Sequence, residues 1–387
     1  MKGKASLDSG NPWAHVPNEQ LTSDVEEPVG DALRAALAKW LGTRLGVSLR
    51  SLTRRVGGGG GYKSRIYFAQ TDGGCLVVRV PKRGTGWSAP SIGCPEYRCL
   101  IGAYAIARLS ALGQPVPEVL ALERRGKVLG APFAVLRRVR GVHMTDYSEQ
   151  WTDWPYPEEQ WGEFLRACHS TEPVRGTGPV DDEGIGWCSS WSEYICRLLL
   201  ARAQEYGDLL PPDFAPRWQA VLEDYKPWLD ARPVRLLQME SNGYCNLILD
   251  PAAHRIKCVL DFEDVQAGDP LFELVVMAWY LGRRGIADHG GRTCFKWQRF
   301  YRGYGPVGWR HPLVPVYRSI MLLEKLWRED REQRAQRLRV ILRRMETRPP
   351  LAHPNHAGPE SEGSAGRVIN TGPSAYLRAA ESKGAES

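Results

Sequence analysis

The stretch that decides the fold covers residues 235–273 and reads RLLQMESNGYCNLILDPAAHRIKCVLDFEDVQAGDPLFE. Two short apolar runs, at 247–249 and 258–260, flank a four-residue turn that contains a proline. Such an arrangement predicts a β-hairpin. Asn246 precedes the first strand and Asp261 follows the second, so the hairpin brings an amide and a carboxylate to one end. Mg2+ prefers such oxygen ligands, which makes this end a candidate metal site, although aspartate is also a common turn residue.

The same stretch resembles the paired loops of the aminoglycoside phosphotransferase family, whose members share the protein-kinase-like fold. The family pattern is roughly L-L-H-G-D-x-x-x-x-N-L-L-V-D, followed by I-D-F/W-x-D-x-x-x-G-D-P-x-x-D/E-L. The residues that match it are Leu236, Leu237, 246–250, 260–264, 268–270, Glu273 and Leu274. The resemblance implies an α+β, bilobal fold with a small antiparallel-sheet N-lobe and a mainly helical C-lobe. It also implies that Asn246 and Asp261 bind Mg2+ beside ATP or GTP.

The chain departs from this pattern at the catalytic base. The family places His-Gly-Asp before the asparagine, and an alignment without a gap puts Met239, Glu240 and Ser241 there. One inserted residue aligns Gln238, Met239 and Glu240 instead, so that Glu240 becomes the carboxylate. Glu240 and Ser241 are therefore alternative candidates for the catalytic position, together with Asn246. A glutamate is chemically able to act as the general base, whereas a serine needs a partner.

A run of five glycines between two predicted strands includes Gly58, Gly59 and Gly60. Glycine lets backbone N–H groups approach a ligand closely, and in the kinase-like fold such a loop covers the nucleotide phosphates. A flexible linker is the alternative. The resemblance implies that Arg79 steadies the α- and β-phosphates and that Glu96 orients Arg79, as the Lys–Glu ion pair does in kinases. A solvated arginine and a glutamate favoured by the helix dipole are the simpler explanations.

The runs LGAPFAVL at 129–136 and RRVRG at 137–141 resemble the family's strand and hinge. In that family the hinge backbone hydrogen-bonds the purine edge, which makes Arg137 and Val139 candidate nucleotide-binding residues. Arg137 replaces the acidic residue often seen there, so the choice between ATP and GTP stays open.

The pattern predicts a flexible N-terminal arm at 1–25 and a nucleotide-binding N-lobe at 26–141. The C-lobe, with the catalytic loop and the acceptor site, is expected at 142–346. Residues 347–387 are rich in Pro, Gly, Ser and Glu and predict a disordered tail. Apolar periodicity also predicts one long amphipathic helix at 315–345 that closes the C-lobe.

Composition restricts the compartment and the partners. Nine cysteines without a CxxC pair are typical of reduced thiols in a cytoplasmic protein. The N-terminal residues lack the apolar segment of a signal peptide, and no apolar run approaches the length of a membrane span. The formal net charge is +7, with Lys and Arg dispersed and no nucleic-acid-binding motif. We therefore expect neither a membrane nor a nucleic acid as a partner.

These features lead to the hypothesis of a phosphotransferase that moves the γ-phosphoryl group of ATP or GTP to a hydroxyl of a small molecule, with Mg2+. The resemblance suggests an aminoglycoside, a nucleoside or another natural product, in antibiotic resistance or biosynthesis. A peptide Ser or Thr in natural-product maturation is a second class of acceptor. The alternative hypothesis is a pseudokinase that binds nucleotide through Asn246 and Asp261 without turnover, because the segment 238–241 lacks the family's aspartate.

Overall fold

The computed structural model of the chain is described here over eight segments. They are residues 25–56, 64–81, 98–144, 157–205, 210–239, 246–283, 297–323 and 331–347. Six candidate residues lie outside the described segments: Gly58, Gly59, Gly60, Glu96, Glu240 and Ser241. The other candidates, Arg79, Arg137, Val139, Asn246 and Asp261, lie within them.

The N-terminal half of the described chain forms an antiparallel sheet with the strand order β1-β2-β3-β4-β6-β5. Its strands are β1 (Val25–Pro28), β2 (Leu49–Val56), β3 (Ser64–Thr71), β4 (Gly74–Pro81), β5 (Val119–Glu123) and β6 (Phe133–Arg137). Helix α1 (Asp31–Leu45) contacts β2 and β5, and helix α2 (Arg98–Ala111) contacts β4, β5 and β6. In β4, Val78 and Val80 are buried while Arg79 between them is not. Because side chains alternate along a strand, Arg79 projects from the opposite face.

The C-terminal half is mainly helical. Its helices are α3 (Pro157–Cys168), α4 (Trp191–Glu205), α5 (Phe214–Asp230), α6 (Pro270–Arg283), α7 (Trp297–Tyr304), α8 (Val314–Leu323) and α9 (Arg331–Thr347). One small sheet contains β12 (Arg255–Val259), β11 (Leu247–Asp250) and β7 (Val142–His143). The other contains β10 (Arg235–Leu237), β13 (Gln266–Gly268), β8 (Thr177–Val180) and β9 (Gly186–Cys188). The two halves form the α+β, bilobal arrangement that the sequence predicts.

The predicted central hairpin is confirmed. β11 and β12 pair antiparallel, with Leu247 opposite Val259, and both of these residues are fully buried. A shift of one residue would turn the buried side chains to the other face, so burial determines the register. The Leu260 N–H donates to the Asn246 carbonyl at 2.8 Å and closes the end of the hairpin. Asn246 and Asp261 therefore lie together at that end.

The prediction of one helix over 315–345 is wrong. The described residues there form two helices, α8 and α9, which pack against each other. Buried side chains of both, such as Ile320 and Leu338, belong to one apolar cluster. A straight helix cannot pack against itself, and periodicity does not show where a chain reverses.

The predicted boundary at residues 141 and 142 stays a prediction. The chain leaves the N-terminal sheet after Arg137 and enters a C-lobe sheet at Val142. At the N-terminal end, Val25 already pairs with Val56, so the sheet includes the last residue assigned to the arm. Of the predicted tail, only Thr347 is described, as the last residue of α9. Among the helices of the described segments, none has the length and apolar character needed to cross a membrane.

Candidate active site

Strand β4 and the end of the central hairpin meet in a cluster of polar side chains. Arg79 Nη2 lies 2.6 Å from Asp261 Oδ1 and 2.6 Å from Glu263 Oε1. The Asn246 side-chain amide approaches the other oxygen of the Asp261 carboxylate, with Nδ2 at 3.5 Å from Oδ2. The structure thus brings Arg79 of β4 together with Asn246 and Asp261, the pair that the sequence predicts at the end of the hairpin.

Glu263 is the member of this cluster that sequence reasoning missed. Its side chain is 3% exposed, accepts a hydrogen bond from the Ser64 hydroxyl and forms an ion pair with Arg79. The available signal was a second carboxylate two positions after Asp261, but spacing alone does not show which of the two is buried. Within these described side chains, two carboxylates face one guanidinium. The cluster therefore carries one negative charge in excess, and a cation would offset it.

Asp261 is held in an unusual backbone conformation. Its φ is 64°, a left-handed value that costs an L-residue roughly 1–2 kcal/mol. The Gln238 side-chain amide donates to the Asp261 carbonyl at 2.8 Å and supports this conformation. The next residue, Phe262, is buried and packs edge-on against Phe164. These contacts orient the Asp261 carboxylate, which is 28% exposed, toward the Arg79 guanidinium.

The opposite side of Phe262 is in close contact with helix α2. A Cβ atom at Gly102 would lie 2.9 Å from the Phe262 carbonyl oxygen, so the helix approaches this segment only because residue 102 is glycine. A cavity of about 20 Å3 lies beside this contact, with Arg79 and Leu136 in its wall. It has room for about one water molecule.

Asn246 and Asp261 fit a magnesium ion by their donor chemistry. Amide and carboxylate oxygens are hard ligands, and Mg2+ is commonly bound by one or two carboxylates together with substrate phosphates and water. In the segments that the structure describes, no group of three or more His, Cys, Asp or Glu side chains is arranged to hold a metal. Phosphate and water could supply further ligands to a metal at this position.

The chain that leads to the catalytic position is anchored by Glu273 of α6. The buried Glu273 carboxylate accepts hydrogen bonds from the backbone N–H of Gln238 at 3.1 Å and of Met239 at 2.7 Å. His169 Nε2 lies 2.7 Å from the same carboxylate, and its Nδ1 lies 2.7 Å from the Tyr304 hydroxyl. Burial raises the pKa of Tyr304, which keeps its hydroxyl protonated. Met239 has a φ of 61°, again in the left-handed region.

At the predicted hinge, the structure engages Arg137 with Glu118. The Arg137 backbone N–H donates to the Glu118 carbonyl at 2.9 Å, and its guanidinium pairs with the Glu118 carboxylate. This pairing raises the pKa of Arg137. Val139 is half-buried and makes no hydrogen bond to another residue of the described segments. Of the two N–H groups, the one at Val139 is therefore available to a ligand.

Comparison with known proteins identifies relatives over most of the chain. Residues 56–301 match the family model APH, described as the phosphotransferase enzyme family. A curated relative is hygromycin-B 4-O-kinase of Escherichia coli, which is 24% identical over 217 residues. The match covers 55% of this chain and 58% of that relative, so the chain spans less than two thirds of the relative's length.

Three similar solved structures are forms of aminoglycoside phosphotransferase APH(4)-Ia. The crystal structure under that name has a TM-score of 0.53 and 20% identity, and the match covers 80% of this chain and 98% of that one. The apo form of a thermostable mutant has a TM-score of 0.51 and 21% identity, and the match covers 79% of this chain and 98% of that one. A ternary complex of a thermostable mutant with AMP-PNP and hygromycin B has a TM-score of 0.50 and 20% identity. This match covers 80% of this chain and 98% of that one. These similarities confirm the predicted protein-kinase-like, α+β fold.

Proposed function

The chain belongs to the phosphotransferase enzyme family, and on this basis we propose that it transfers the γ-phosphoryl group of ATP or GTP to a hydroxyl of a small molecule. The observation that carries the proposal is the meeting of Arg79 with Asn246 and Asp261. Catalysis of phosphoryl transfer consists mostly of positioning the reactants and neutralising charge. A guanidinium beside a pair of oxygen ligands supplies groups for both tasks.

Each residue of the cluster has a role in the proposal. Asn246 and Asp261 hold Mg2+, which when bound neutralises charge on the phosphate oxygens. Arg79 donates hydrogen bonds to the α- and β-phosphates, as a guanidinium does readily because its N–H groups match the spacing of phosphate oxygens. The resemblance assigns Gly58, Gly59 and Gly60, which lie outside the described residues, to the binding of the phosphates.

The purine is assigned to the hinge. The Val139 backbone, free of hydrogen bonds to other described residues, is the group proposed to contact the purine edge. Arg137 would act beside it through its half-exposed side chain and influence the choice between ATP and GTP. A carboxylate partner, Glu118, limits the directions in which that guanidinium can turn.

The general base is assigned to Glu240, with Ser241 as the alternative. Glycine is the residue that left-handed backbone favours, and the family pattern has glycine in the middle of His-Gly-Asp. Met239 is left-handed here, with φ 61°. This supports the alignment of Gln238, Met239 and Glu240 with the family motif, which makes Glu240 the carboxylate. In that role Glu240 would accept the proton of the acceptor hydroxyl as the hydroxyl oxygen attacks the γ-phosphorus, while the bond from the γ-phosphorus to the bridging oxygen breaks and ADP or GDP leaves.

An aminoglycoside is the first acceptor to test. The curated relative is named for phosphorylation of hygromycin B, and one similar structure contains that compound. Nucleosides and other natural products with free hydroxyl groups form the second set. Peptide Ser and Thr hydroxyls form the third.

A specific observation favours a second function, that of a nucleotide-binding protein without turnover. The segment 238–241 reads Gln-Met-Glu-Ser and contains no aspartate. Glutamate is one methylene longer than aspartate, and a general base must lie within hydrogen-bond reach of the proton that it removes. In this alternative Asn246, Asp261 and Arg79 bind Mg-nucleotide, and the acceptor hydroxyl is not activated.

The experiment is transfer of label from γ-labelled ATP or GTP, with Mg2+, to hygromycin B and then to the other acceptor sets. Wild type is compared with Asp261→Ala, Glu240→Gln and Ser241→Ala. We expect wild type and Ser241→Ala to label the acceptor. Asp261→Ala and Glu240→Gln should not. Label that survives Glu240→Gln but is lost with Ser241→Ala would move the base to Ser241. Binding of Mg-nucleotide without transfer to any acceptor would favour the second function.

A further inference from the structure

Glu263 connects the hairpin segment to two neighbouring strands of the N-lobe. One of its oxygens, Oε1, forms an ion pair with Arg79 Nη2 at 2.6 Å and accepts a hydrogen bond from the Ser64 hydroxyl. Arg79 lies on β4 and Ser64 is the first residue of β3, which pairs with β4. Ser64 is also the first described residue after the glycine run. A single carboxylate oxygen thus contacts both strands that flank the proposed phosphate site.

The burial of Glu263 makes these contacts strong. A carboxylate removed from water is costly unless it is paired and hydrogen-bonded, and Glu263 has both kinds of partner. The Arg79 guanidinium and the Glu263 carboxylate form an ion pair at 2.6 Å, and a buried pair is screened much less than an exposed one. Asp261, by contrast, has a side chain that is 28% exposed against 3% for Glu263. Of these two carboxylates beside Arg79, Asp261 is therefore the more accessible to a ligand.

We propose that Glu263 is a positioning residue that holds Arg79 toward the nucleotide phosphates, in addition to Glu96, to which the sequence resemblance assigns that role. The inference rests on the proposed nucleotide site. With Asp261 directed to Mg2+, the buried Glu263 carboxylate would keep its ion pair with the Arg79 guanidinium. Because Glu263 and Asp261 are two residues apart, the metal ligand and the phosphate ligand are positioned by one short segment.

The test compares the binding of adenosine, ADP and AMP-PNP, each with Mg2+, by titration calorimetry. The variants are Glu263→Gln, Glu96→Gln and a matched control, Glu123→Gln, which alters another buried carboxylate of the N-lobe sheet. Because Glu263→Gln removes the negative charge beside Arg79, we expect it to weaken the binding of ADP and of AMP-PNP by about tenfold. The affinity of Glu263→Gln for adenosine, which has no phosphate, should stay within about twofold of the wild-type value. A general loss of structure would weaken the binding of all three compounds alike.

Two further variants check the contacts themselves. Ser64→Ala removes only the hydrogen bond from the serine hydroxyl and should weaken the binding of AMP-PNP by a few-fold, which keeps the proposal testable if Glu263→Gln does not fold. Adding Glu263→Gln to Arg79→Ala should weaken the binding of AMP-PNP no further, because both changes remove one interaction. Glu123→Gln should bind all three compounds like wild type, and Glu96→Gln measures the separate contribution of the residue that the resemblance assigns to Arg79.

Three results would overturn the inference while the proposed function stands. In the first, Glu263→Gln and Ser64→Ala both bind AMP-PNP with wild-type affinity. In the second, Glu263→Gln loses affinity for adenosine as much as for AMP-PNP. In the third, Glu263→Gln changes only the Mg2+ concentration that nucleotide binding requires. The last would make Glu263 a metal ligand instead of a positioning residue. A wild-type protein that binds none of the Mg-nucleotides would overturn the proposed function and this inference together.

Discussion

Arg79 Nη2 lies 2.6 Å from Asp261 Oδ1, although the two residues are 182 positions apart in the chain. The contact joins β4 of the N-lobe sheet to the end of the central hairpin, so it crosses from one lobe to the other. Both side chains are largely shielded from water, with 21% and 28% exposed. An ion pair in such surroundings interacts more strongly than an exposed one. Its residues are therefore the first targets for mutation.

Asp261→Asn should abolish the Mg2+ dependence of nucleotide binding. The change removes the charge of the proposed metal ligand and retains its size. Replacement of outer partners of a metal ligand already costs about 10–100-fold in metal affinity, so loss of the ligand should cost about 100-fold or more. The measurement is nucleotide affinity as a function of Mg2+ concentration. Asp250→Asn, at the other end of the same hairpin, is the control and should behave like wild type; an unchanged Mg2+ dependence in Asp261→Asn would exclude the metal assignment.

Glu273→Gln should destabilise the protein and impair phosphoryl transfer. The buried carboxylate holds the backbone of Gln238 and Met239, which leads to the proposed base. Replacing a buried, hydrogen-bonded charge typically costs about 2–4 kcal/mol of the free energy of unfolding. Urea denaturation measures this loss. The control Glu159→Gln breaks a half-exposed pair with Arg302 and should change stability by less than about 1 kcal/mol.

Gly162→Ala should separate helices α3 and α7. A Cβ at Gly162 would lie 2.4 Å from the Phe300 carbonyl oxygen, and one at Gly303 would lie 1.9 Å from the Glu159 carbonyl oxygen. Both positions need glycine because the two backbones are in contact. Overpacking of this kind typically costs about 1–3 kcal/mol, which a thermal or urea denaturation curve measures. Gly308→Ala, where the added atom would meet nothing within 4 Å, should be nearly neutral; equal stability of the two variants would contradict this packing.

The free energy of unfolding should fall as the pH rises above about 9. Burial raises the pKa of the Cys258 thiol to about 12, whereas the thiol of an unfolded chain titrates near about 8.5. Between these values the unfolded chain has lost a proton that the folded chain retains, so alkali favours unfolding. The contribution of this thiol to the free energy of unfolding is fully present below its pKa in the unfolded chain. It is lost as the pH rises toward its pKa in the folded protein. The Tyr301 hydroxyl, whose pKa burial also raises to about 12, acts in the same direction.

Urea denaturation between about pH 8 and 10.5 measures this slope, which for one group reaches about 1.4 kcal/mol per pH unit. Cys258→Ala should make the slope shallower. Val259→Ala, at the adjacent buried position, should lower stability at every pH and leave the slope unchanged. An equal slope in wild type and Cys258→Ala would show that this thiol titrates alike in both states.

Local patterns in the sequence predicted the elements around the site well. The hairpin that presents Asn246 and Asp261 follows from two apolar runs and a turn, and the turn between β3 and β4 follows from Asp-Gly-Gly. The error at 315–345 has a physical cause. Helical periodicity continues through that segment, whereas the reversal between α8 and α9 depends on how their apolar faces pack against the same cluster.

The amino-acid sequence alone was enough to predict the fold class, the position of Asn246 and Asp261 together at the end of the hairpin, and a cationic residue on β4. Each of these depends on neighbouring residues, through side-chain alternation, turn chemistry and motif spacing. Only the tertiary structure decided which partners Arg79 has and that Glu263 is buried while Asp261 is accessible. Those features arise where two lobes meet, and contacts between residues about 180 positions apart are set by packing that no local pattern encodes. The left-handed backbone of Met239, which bears on the identity of the base, depends likewise on the buried Glu273 carboxylate that holds it.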